Sequence, residues 1–500
     1  GADRLHGRLG RRADGSCCRL GPRPLPAGGL SAEELVDSHR GFSFSSRGSE
    51  AVDVDRAQAD VRTPGCVARH QDYACDLPSA SVVVVFHNEH LDTLLRSAHS
   101  VLNQSPPKLL KEVILVDDAS APDEHRFYKR HWDRLQSELS EYVRYALTKT
   151  RLVRLRERRG LMLARMEGIW RASGDVIICL DSHVEATPGW LEPLLSRIYE
   201  DRTRMVVPSI DGIGSEDFEY SVFGLGLVSF RWNLAQSPRE RPEGVEDLAN
   251  SSVMCGGLFA ADREFFLHLG GYDPEMRIWG GEEVEIGFRA WTCGGGIEHV
   301  PCSHVGHVWR SSQHWQGQVY HVPMGDVARN KHRIAEVWMD EYADLARLAS
   351  PPLPPGVELG SVEPRRELRK KLGCKPFQWF LDTVAGYELH IPEQGPPDRV
   401  GTLRHYLTEM CVDSQGVGSP GDAVGVQPCT SLVDQRPALA DGSQALRMDA
   451  DGRLAFEAPR EAAMGLCVSA ERGLVYFEPC LGDAEGTPAS SASCRGGTSG

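Results

Sequence analysis

Ser81-Val-Val-Val-Val-Phe86, Glu112-Val-Ile-Leu-Val-Asp-Asp118 and Asp175-Val-Ile-Ile-Cys-Leu-Asp181 are apolar, largely β-branched runs without polar alternation. A strand exposed on one face alternates and a strand buried on both does not, so each run predicts a central strand. Helical spacing lies between them. Leu94, Leu95, Ala98, Val101 and Leu102 share one face of a helix over 93–103, and Leu161 to Trp170 reads as another. A further strand is expected between Lys149 and Leu155. This alternation predicts a doubly wound α/β domain. Such sheets bind ligands beyond the carboxyl ends of their strands, where Asp117, Asp118 and Asp181 fall.

The rest of the chain frames this domain. Its 500 residues suit two or three domains, and 41% hydrophobic with 25% charged residues fits an ordinary globular core. A net charge of −15 argues against a nucleic-acid binder. The 14 cysteines are scattered without zinc-ribbon spacing, which fits an oxidising secretory compartment. Cys179, inside an apolar run, reads instead as a buried thiol. The sequons Asn103-Gln-Ser and Asn250-Ser-Ser are compatible with that compartment. No apolar run approaches the ~20 residues of a membrane span. The chain opens on Gly without a signal peptide, so a trimmed chain with a targeting segment upstream is expected.

Residues 1–63, rich in Gly, Arg, Ser and Pro, are expected to form an irregular stem, with order beginning near Cys66. The α/β body is placed at 64–385, with a helix near 335–348 ahead of the break Pro351-Pro-Leu-Pro-Pro355. Residues 386–400 read as a linker. In 401–485, Cys411-Val-Asp…Val426-Gln-Pro-Cys429 resembles Cys467-Val-Ser…Phe477-Glu-Pro-Cys480, a weak internal repeat that suggests a small all-β module. The Gly/Ser-rich tail 486–500 reads as disordered.

Asp181-Ser-His183 puts a carboxylate and an imidazole on the same side of an extended chain. Mixed oxygen and nitrogen donors suit a borderline-hard divalent ion such as Mn²⁺. Alone, an Asp-x-His is more often an ordinary strand end. Cys302-Ser-His-Val-Gly-His307-Val-Trp-Arg310 offers a third ligand, His304 or His307. Trp279-Gly-Gly-Glu282 offers a Gly-flanked acid beside an aromatic side chain, and Arg158, ahead of Gly160, can face phosphate at a helix start. Each also reads as a core histidine, a core tryptophan or a solvated charge. The combination carries the signal.

That combination resembles the polypeptide N-acetylgalactosaminyltransferases. Ser81–Glu89, Val113–Ser120, Gly160-Leu-Met, Asp181-Ser-His, Gly189–Leu195, Gly256-Gly-Leu-Phe, Ile278-Trp-Gly-Gly-Glu, Cys302–Arg310, Glu336–Tyr342 and Cys374-Lys-Pro-Phe resemble its motifs in order. The match is dense over 64–385 and weak to about 482. It implies an α/β GT-A (Rossmann-like) glycosyltransferase domain followed by a ricin-type β-trefoil lectin domain, here partial. It implies retaining transfer of N-acetylgalactosamine from UDP-GalNAc to Ser or Thr of polypeptides and glycopeptides, in the Golgi lumen. Membrane attachment is expected only through an N-terminal anchor not present in this chain.

By matching positions, the resemblance assigns Asp181, His183 and His307 to Mn²⁺. Phe86, His87, Asp117 and Asp118 are assigned to uridine, Arg158 is expected to face the nucleotide, and Arg310 to clamp the diphosphate. Gly256 and Gly257 are expected to admit the sugar, with Glu282 near sugar and acceptor and Trp279 on a loop closing over the donor. The implied disulfides are Cys66–Cys302, Cys293–Cys374, Cys411–Cys429 and Cys467–Cys480, and Asp413 is the implied lectin carboxylate. The chain departs from the pattern in four places. Glu283 stands where Asn is usual, Val85 stands where some members carry a uridine-contacting hydroxyl, 311–325 does not match the active-site loop, and the lectin part has two repeats, the second with Ser469 at the carboxylate position. An inert member that binds UDP, metal or glycopeptide without turnover is the competing expectation.

Overall fold

The computed structural model describes residues 9–10, 19–23, 38–39, 41–121, 132–239, 246–310 and 322–385, then the segments 400–401, 410–413, 425–428, 446–448, 454–456, 466–471 and 474–479. The chain divides into two compact units, 1–396 and 397–500.

The first unit is built on a ten-stranded sheet. Its strands are β1 (Ala80–Phe86), β2 (Leu110–Asp117), β3 (Thr150–Arg154), β4 (Val176–Leu180), β5 (Val184–Ala186), β6 (Arg204–Ile213), β7 (Tyr220–Leu225), β8 (Ala249–Asn250), β9 (Phe259–Asp262) and β10 (Gly296–Val308). The order is β8-β10-β6-β9-β4-β1-β2-β3, with β5 paired to β10 and β7 to β6. β4, β1, β2 and β3 are mutually parallel, and every residue of β1 and β4 is buried, as unalternating runs require. The doubly wound expectation covers only this half. β9 runs antiparallel between β4 and β6, so the full sheet is mixed.

Among its helices are α1 (Ser46–Ala51), α2 (Pro64–Arg69), α3 (Leu91–Gln104), α4 (Leu161–Arg171), α5 (Leu191–Glu200), α6 (Glu282–Thr292), α7 (Met324–Trp338) and α8 (Ala343–Ala349). α3 buries Leu94, Leu95, Ala98 and Val101 of the stripe its spacing predicts, while Leu102 is only partly buried. α4 lies close on β1 because Gly168 has no side chain; a Cβ there would stand 2.4 Å from Val83 Cγ1. The single helix expected near 335–348 is instead two. α7 ends at Trp338, a 3₁₀ turn spans Asp340–Tyr342, and Asp340 takes φ +46°, which no helix can continue through. No helix among the described residues is long and apolar enough to cross a membrane.

Within the stem expected over 1–63, residues 42–51 instead pack on the α/β body. Phe42 and Phe44 are fully buried against Ile213, Phe218 and Val308. Ser45 caps α1 by accepting the Gly48 amide at 2.9 Å, and buried Arg96 donates to the Ser49 carbonyl at 2.7 Å. This strap is held by two rings that the surrounding Gly, Ser and Arg composition hides. Among the described residues two disulfides are formed, Cys66–Cys302 tying α2 to β10 and Cys293–Cys374 tying the end of α6 to a later turn. Cys179 is a free, buried thiol, and burial pushes its pKa up to about 12.

Every described element of the second unit is a strand. Val400–Gly401, Leu446–Met448, Leu454–Phe456, Leu466–Glu471 and Leu474–Pro479 form an antiparallel sheet in that order, and Met410–Asp413 pairs with Gly425–Pro428. Cys429, Cys480 and the tail 486–500 lie outside the described residues, so the two disulfides expected here do too.

Candidate active site

Asp181 follows β4, His183 precedes β5, and His307 lies near the end of β10, which pairs with β5. Long-range pairing thus closes a cluster that local spacing only half specifies. One ligand atom from each of the three lies within 4.8 Å of the others. The two imidazoles are 4.7 Å apart centroid to centroid, and His307 Nε2 is 3.4 Å from Asp181 Oδ2. Burial opposes ionisation of Asp181, but the His307 contact and the Arg165 charge outweigh it and hold the carboxyl well below its usual range. Burial lowers the His307 pKa, so its imidazole stays neutral and able to donate a lone pair. His307 Nδ1 is buried without a partner among the described residues. An ionised carboxylate and two imidazoles meeting at one point fit a divalent cation with oxygen and nitrogen donors. His304, three residues earlier on β10, is not part of the cluster. Its Nδ1 donates to buried Asp211 at 2.8 Å.

Two residues without an assigned role hold this corner together. Glu89, buried after β1, accepts from Ser182 Oγ at 2.8 Å, His183 Nδ1 at 3.0 Å and Arg310 Nη2 at 3.2 Å, all through Oε2. Burial alone would raise its pKa; Arg310 and His183 outweigh that and bring it to about 2. With Nδ1 committed to Glu89, His183 is left to present Nε2. Arg310 is pinned as well, since its Nη1 donates to the Phe42 carbonyl at 2.9 Å and its guanidinium lies over the Phe44 ring. Arg165, buried inside α4, donates to Asp181 Oδ1 at 3.2 Å and to the Gly257 carbonyl at 3.1 Å. A Cβ on Gly257 would stand 2.2 Å from Arg165 Nη2 and 2.5 Å from Asp181 Oδ1, so glycine is required there. Gly256 takes φ +55°.

At the ends of β1 and β2, the chain binds itself. Asp117 accepts from Arg154 and from the Ser120 amide, and Asp118 accepts the Arg159 and Gly160 amides at 2.7 and 2.8 Å. Burial nonetheless raises Asp118. Phe86 is buried, and His87 Nδ1 donates to the Asp118 carbonyl at 2.7 Å. Burial, and then the nearby charge of Arg158, lowers the His87 pKa. The residues expected around a uridine are therefore adjacent, with Asp117 acting as a brace between β2 and β3.

Opposite lies the turn leading into α6. Ile278, Gly280 and Gly281 take φ of +47°, +102° and +86°. Trp279 is 41% exposed, so its ring is not core. Glu282 is buried; its Oε2 accepts the Gly280 amide at 2.8 Å and its Oε1 has no partner among the described residues. Burial raises the pKa of Glu282, and burial together with the Glu282 charge raises Glu283 well above the usual value. Residues 311–321 of the divergent loop lie outside the described residues.

A family model described as Glycosyl transferase family 2 matches residues 81–269, and one described as the N-terminal domain of galactosyltransferase matches 248–312. Probable N-acetylgalactosaminyltransferase 9 of Caenorhabditis elegans is 36% identical over 92% of this chain and 76% of its own. Polypeptide N-acetylgalactosaminyltransferase 13 of Homo sapiens is 41% identical over 80% of this chain and 70% of its own. The crystal structure of GalNAc-T7 with UDP, GalNAc and Mn²⁺ matches with a TM-score of 0.69 at 30% identity, covering 92% of this chain and 82% of that one. With relatives this similar over most of both chains, and with the GT-A type of sheet carrying the Asp-His-His corner, the chain belongs to the polypeptide N-acetylgalactosaminyltransferase family.

Proposed function

We propose that this chain transfers N-acetylgalactosamine from UDP-GalNAc to Ser or Thr hydroxyls of polypeptides and glycopeptides with retention, initiating mucin-type O-glycosylation. The observation that carries the reading is the convergence of Asp181, His183 and His307, with Glu89 and Arg310 locked behind them. The donor set fits Mn²⁺, the ion in the GalNAc-T7 structure. Bound there, the ion supplies Lewis-acid stabilisation of charge on the departing diphosphate.

The chain's own residues do the rest. Arg310 and Arg158 bring positive charge to the diphosphate, while Phe86, His87 and Asp118 form the uridine wall. Arg165 fixes the orientation of Asp181, and bare Gly257 leaves the sugar room beside it. Trp279 caps the donor on a turn of left-handed residues and excludes water that would hydrolyse it. Glu282 is a poor nucleophile, because burial favours its neutral form. That supports same-face attack, with the acceptor proton passing to the departing phosphate. Incubation with donor alone should leave no glycosyl-enzyme; a covalent adduct on Glu282 would overturn this step.

The functional test is the mass of a Thr/Pro-rich mucin-like peptide after incubation with UDP-GalNAc and Mn²⁺, with and without chelator. A chelator-sensitive gain of one sugar is expected. No gain with UDP binding intact favours the inert reading, whose supporting observation is Glu283 crowding Glu282. The disulfides support residence in an oxidising lumen, taken here as the Golgi. The strands beyond 397 are read as a partial ricin-type lectin module, with Asp413, at the end of a paired strand, as its sugar-binding carboxylate.

A further inference from the structure

Asn330 sits in the middle of α7 and is fully buried. Helix interiors disfavour Asn, whose amide competes for backbone hydrogen bonds and suits caps and turns. Here the amide is spent on another segment. Its Oδ1 accepts the Arg277 amide at 2.9 Å. Its Nδ2 donates to the carbonyls of Arg277 at 2.8 Å, Gly280 at 3.0 Å and Trp279 at 3.3 Å. One side chain thus takes up four backbone groups of the turn that carries Trp279.

That turn requires an outside partner. Ile278 is β-branched and takes φ +47°, and Gly280 takes φ +102°, so the peptide groups around them cannot pair in a helix or a strand ladder. The carbonyl that Asn330 does not engage, that of Ile278, accepts the Leu161 amide at 2.7 Å. This second grip stands on Asp118, which accepts the preceding Arg159 and Gly160 amides. A Cβ on Gly160 would lie 2.5 Å from Ile278 Cα, so the two segments touch. The backbone from Arg277 to Gly280 is therefore gripped from both sides, while the Trp279 ring itself is 41% exposed. The direction of the ring is set by the backbone beneath it rather than by packing around it.

α7 is fixed in register on the same segment. Arg333 donates to Asp273 Oδ1 at 3.1 Å and to Oδ2 at 2.8 Å. A Cβ on Gly280 would meet Val327 Cγ1 at 3.2 Å, and one on Gly281 would meet Ile334 Cδ1 at 2.8 Å. Val327, Arg333 and Ile334 are three or four positions from Asn330 and share its face of the helix. From this geometry we infer that Asn330 is a positioning residue for transfer: it holds Trp279 over the donor and so sets how much UDP-GalNAc passes to the acceptor rather than to water. The inference rests on the transferase reading above, and within it on Trp279 as the donor cap.

The test measures, in one reaction with a Thr/Pro-rich peptide, both transfer and hydrolysis of UDP-GalNAc. N330D keeps the size of Asn330 and the acceptor for the Arg277 amide but loses the donor to three carbonyls; N330S loses the reach. Each should lower kcat/KM for transfer about 10–100-fold and raise the ratio of hydrolysed to transferred sugar. Mn²⁺ affinity should keep its parent value. In a W279A background N330D should change neither quantity further, because its effect passes through that one side chain. A parent ratio of hydrolysis to transfer in both variants overturns the inference, as do effects of N330D and W279A that simply add. Loss of Mn²⁺ affinity along with transfer, or failure of both variants to fold, gives Asn330 to the fold alone and overturns it too. A parent ratio in W279A overturns the cap reading, and no transfer by the parent chain overturns the transferase reading, so these failures are distinguishable.

Discussion

Asp181 and Glu282 are carboxylates at two ends of one site, both within electrostatic reach of buried Arg165, and the chain treats them in opposite ways. At the Asp181 end every acid is paired. Asp181 meets Arg165 and His307, Glu89 meets His183 and Arg310, and both carboxyls are held below their usual range. At the Glu282 end two adjacent carboxyls stand with their pKa values raised, after the left-handed residues Ile278, Gly280 and Gly281. The first end is organised before any ligand arrives. The second holds two carboxyls that burial keeps toward their neutral forms, on unusual backbone, the makings of a part that rearranges.

The largest expected effect is at the paired end. H307A should cost roughly a thousandfold or more in kcat/KM and abolish Mn²⁺ binding measured calorimetrically without donor. Wild-type Mn²⁺ affinity in H307A would break the contrast, since the triad would then not be the metal site. E89Q keeps the size of Glu89 but removes the charge that Ser182, His183 and Arg310 share. It should weaken Mn²⁺ affinity by about 10–100-fold, as loss of an outer partner of a ligating His does. G257A forces a methyl between Arg165 and Asp181 and should cost about 1–3 kcal/mol in urea denaturation, with a matching loss of metal affinity.

The smallest effect sharpens the contrast most. Glu282 and Glu283 have folded pKa values raised above an unfolded value of about 4.3, so the fold binds their protons more tightly than the unfolded chain does. Stability then falls as pH rises from that unfolded value through the raised ones. E283Q should melt at a higher temperature than the parent, by a margin that widens from pH 5 to 8. Glu89, lowered to about 2, works the other way: its contribution is present above the unfolded value and is lost as pH falls toward 2. Melting curves whose E283Q margin narrows with rising pH would sink the account of the loop end.

The strands of the parallel half and the packed face of α3 were legible because apolar periodicity is a local property. Asp181 and His183 were legible for the same reason, being two apart on an extended chain. The choice between His304 and His307 was not legible from the residues, because it depends on Asp211 in another strand, and only the family resemblance pointed to His307. Arg165 reads as one more cation on a helix until Asp181 is brought against it by β4. Glu89 was quoted in a motif without a role for similar reasons, since its partners lie 93 to 221 positions away. The strap was missed because composition averages away two rings; the alternation Phe42-Ser-Phe44 was the available signal.

That strap also sets an order of events during synthesis. Phe42 and Arg310 are 268 positions apart, and Cys66 and Cys302 are 236 apart. At about 5–20 residues per second on the ribosome, the strap waits on the order of tens of seconds for its partners. This early segment therefore completes its docking late, after its contacts to Thr93 and Arg96, with two phenylalanines uncovered meanwhile. Arg310 acquires its fixed position only when β10 is complete, so the contact that joins the strap to Glu89 closes only when the α/β body is nearly all made.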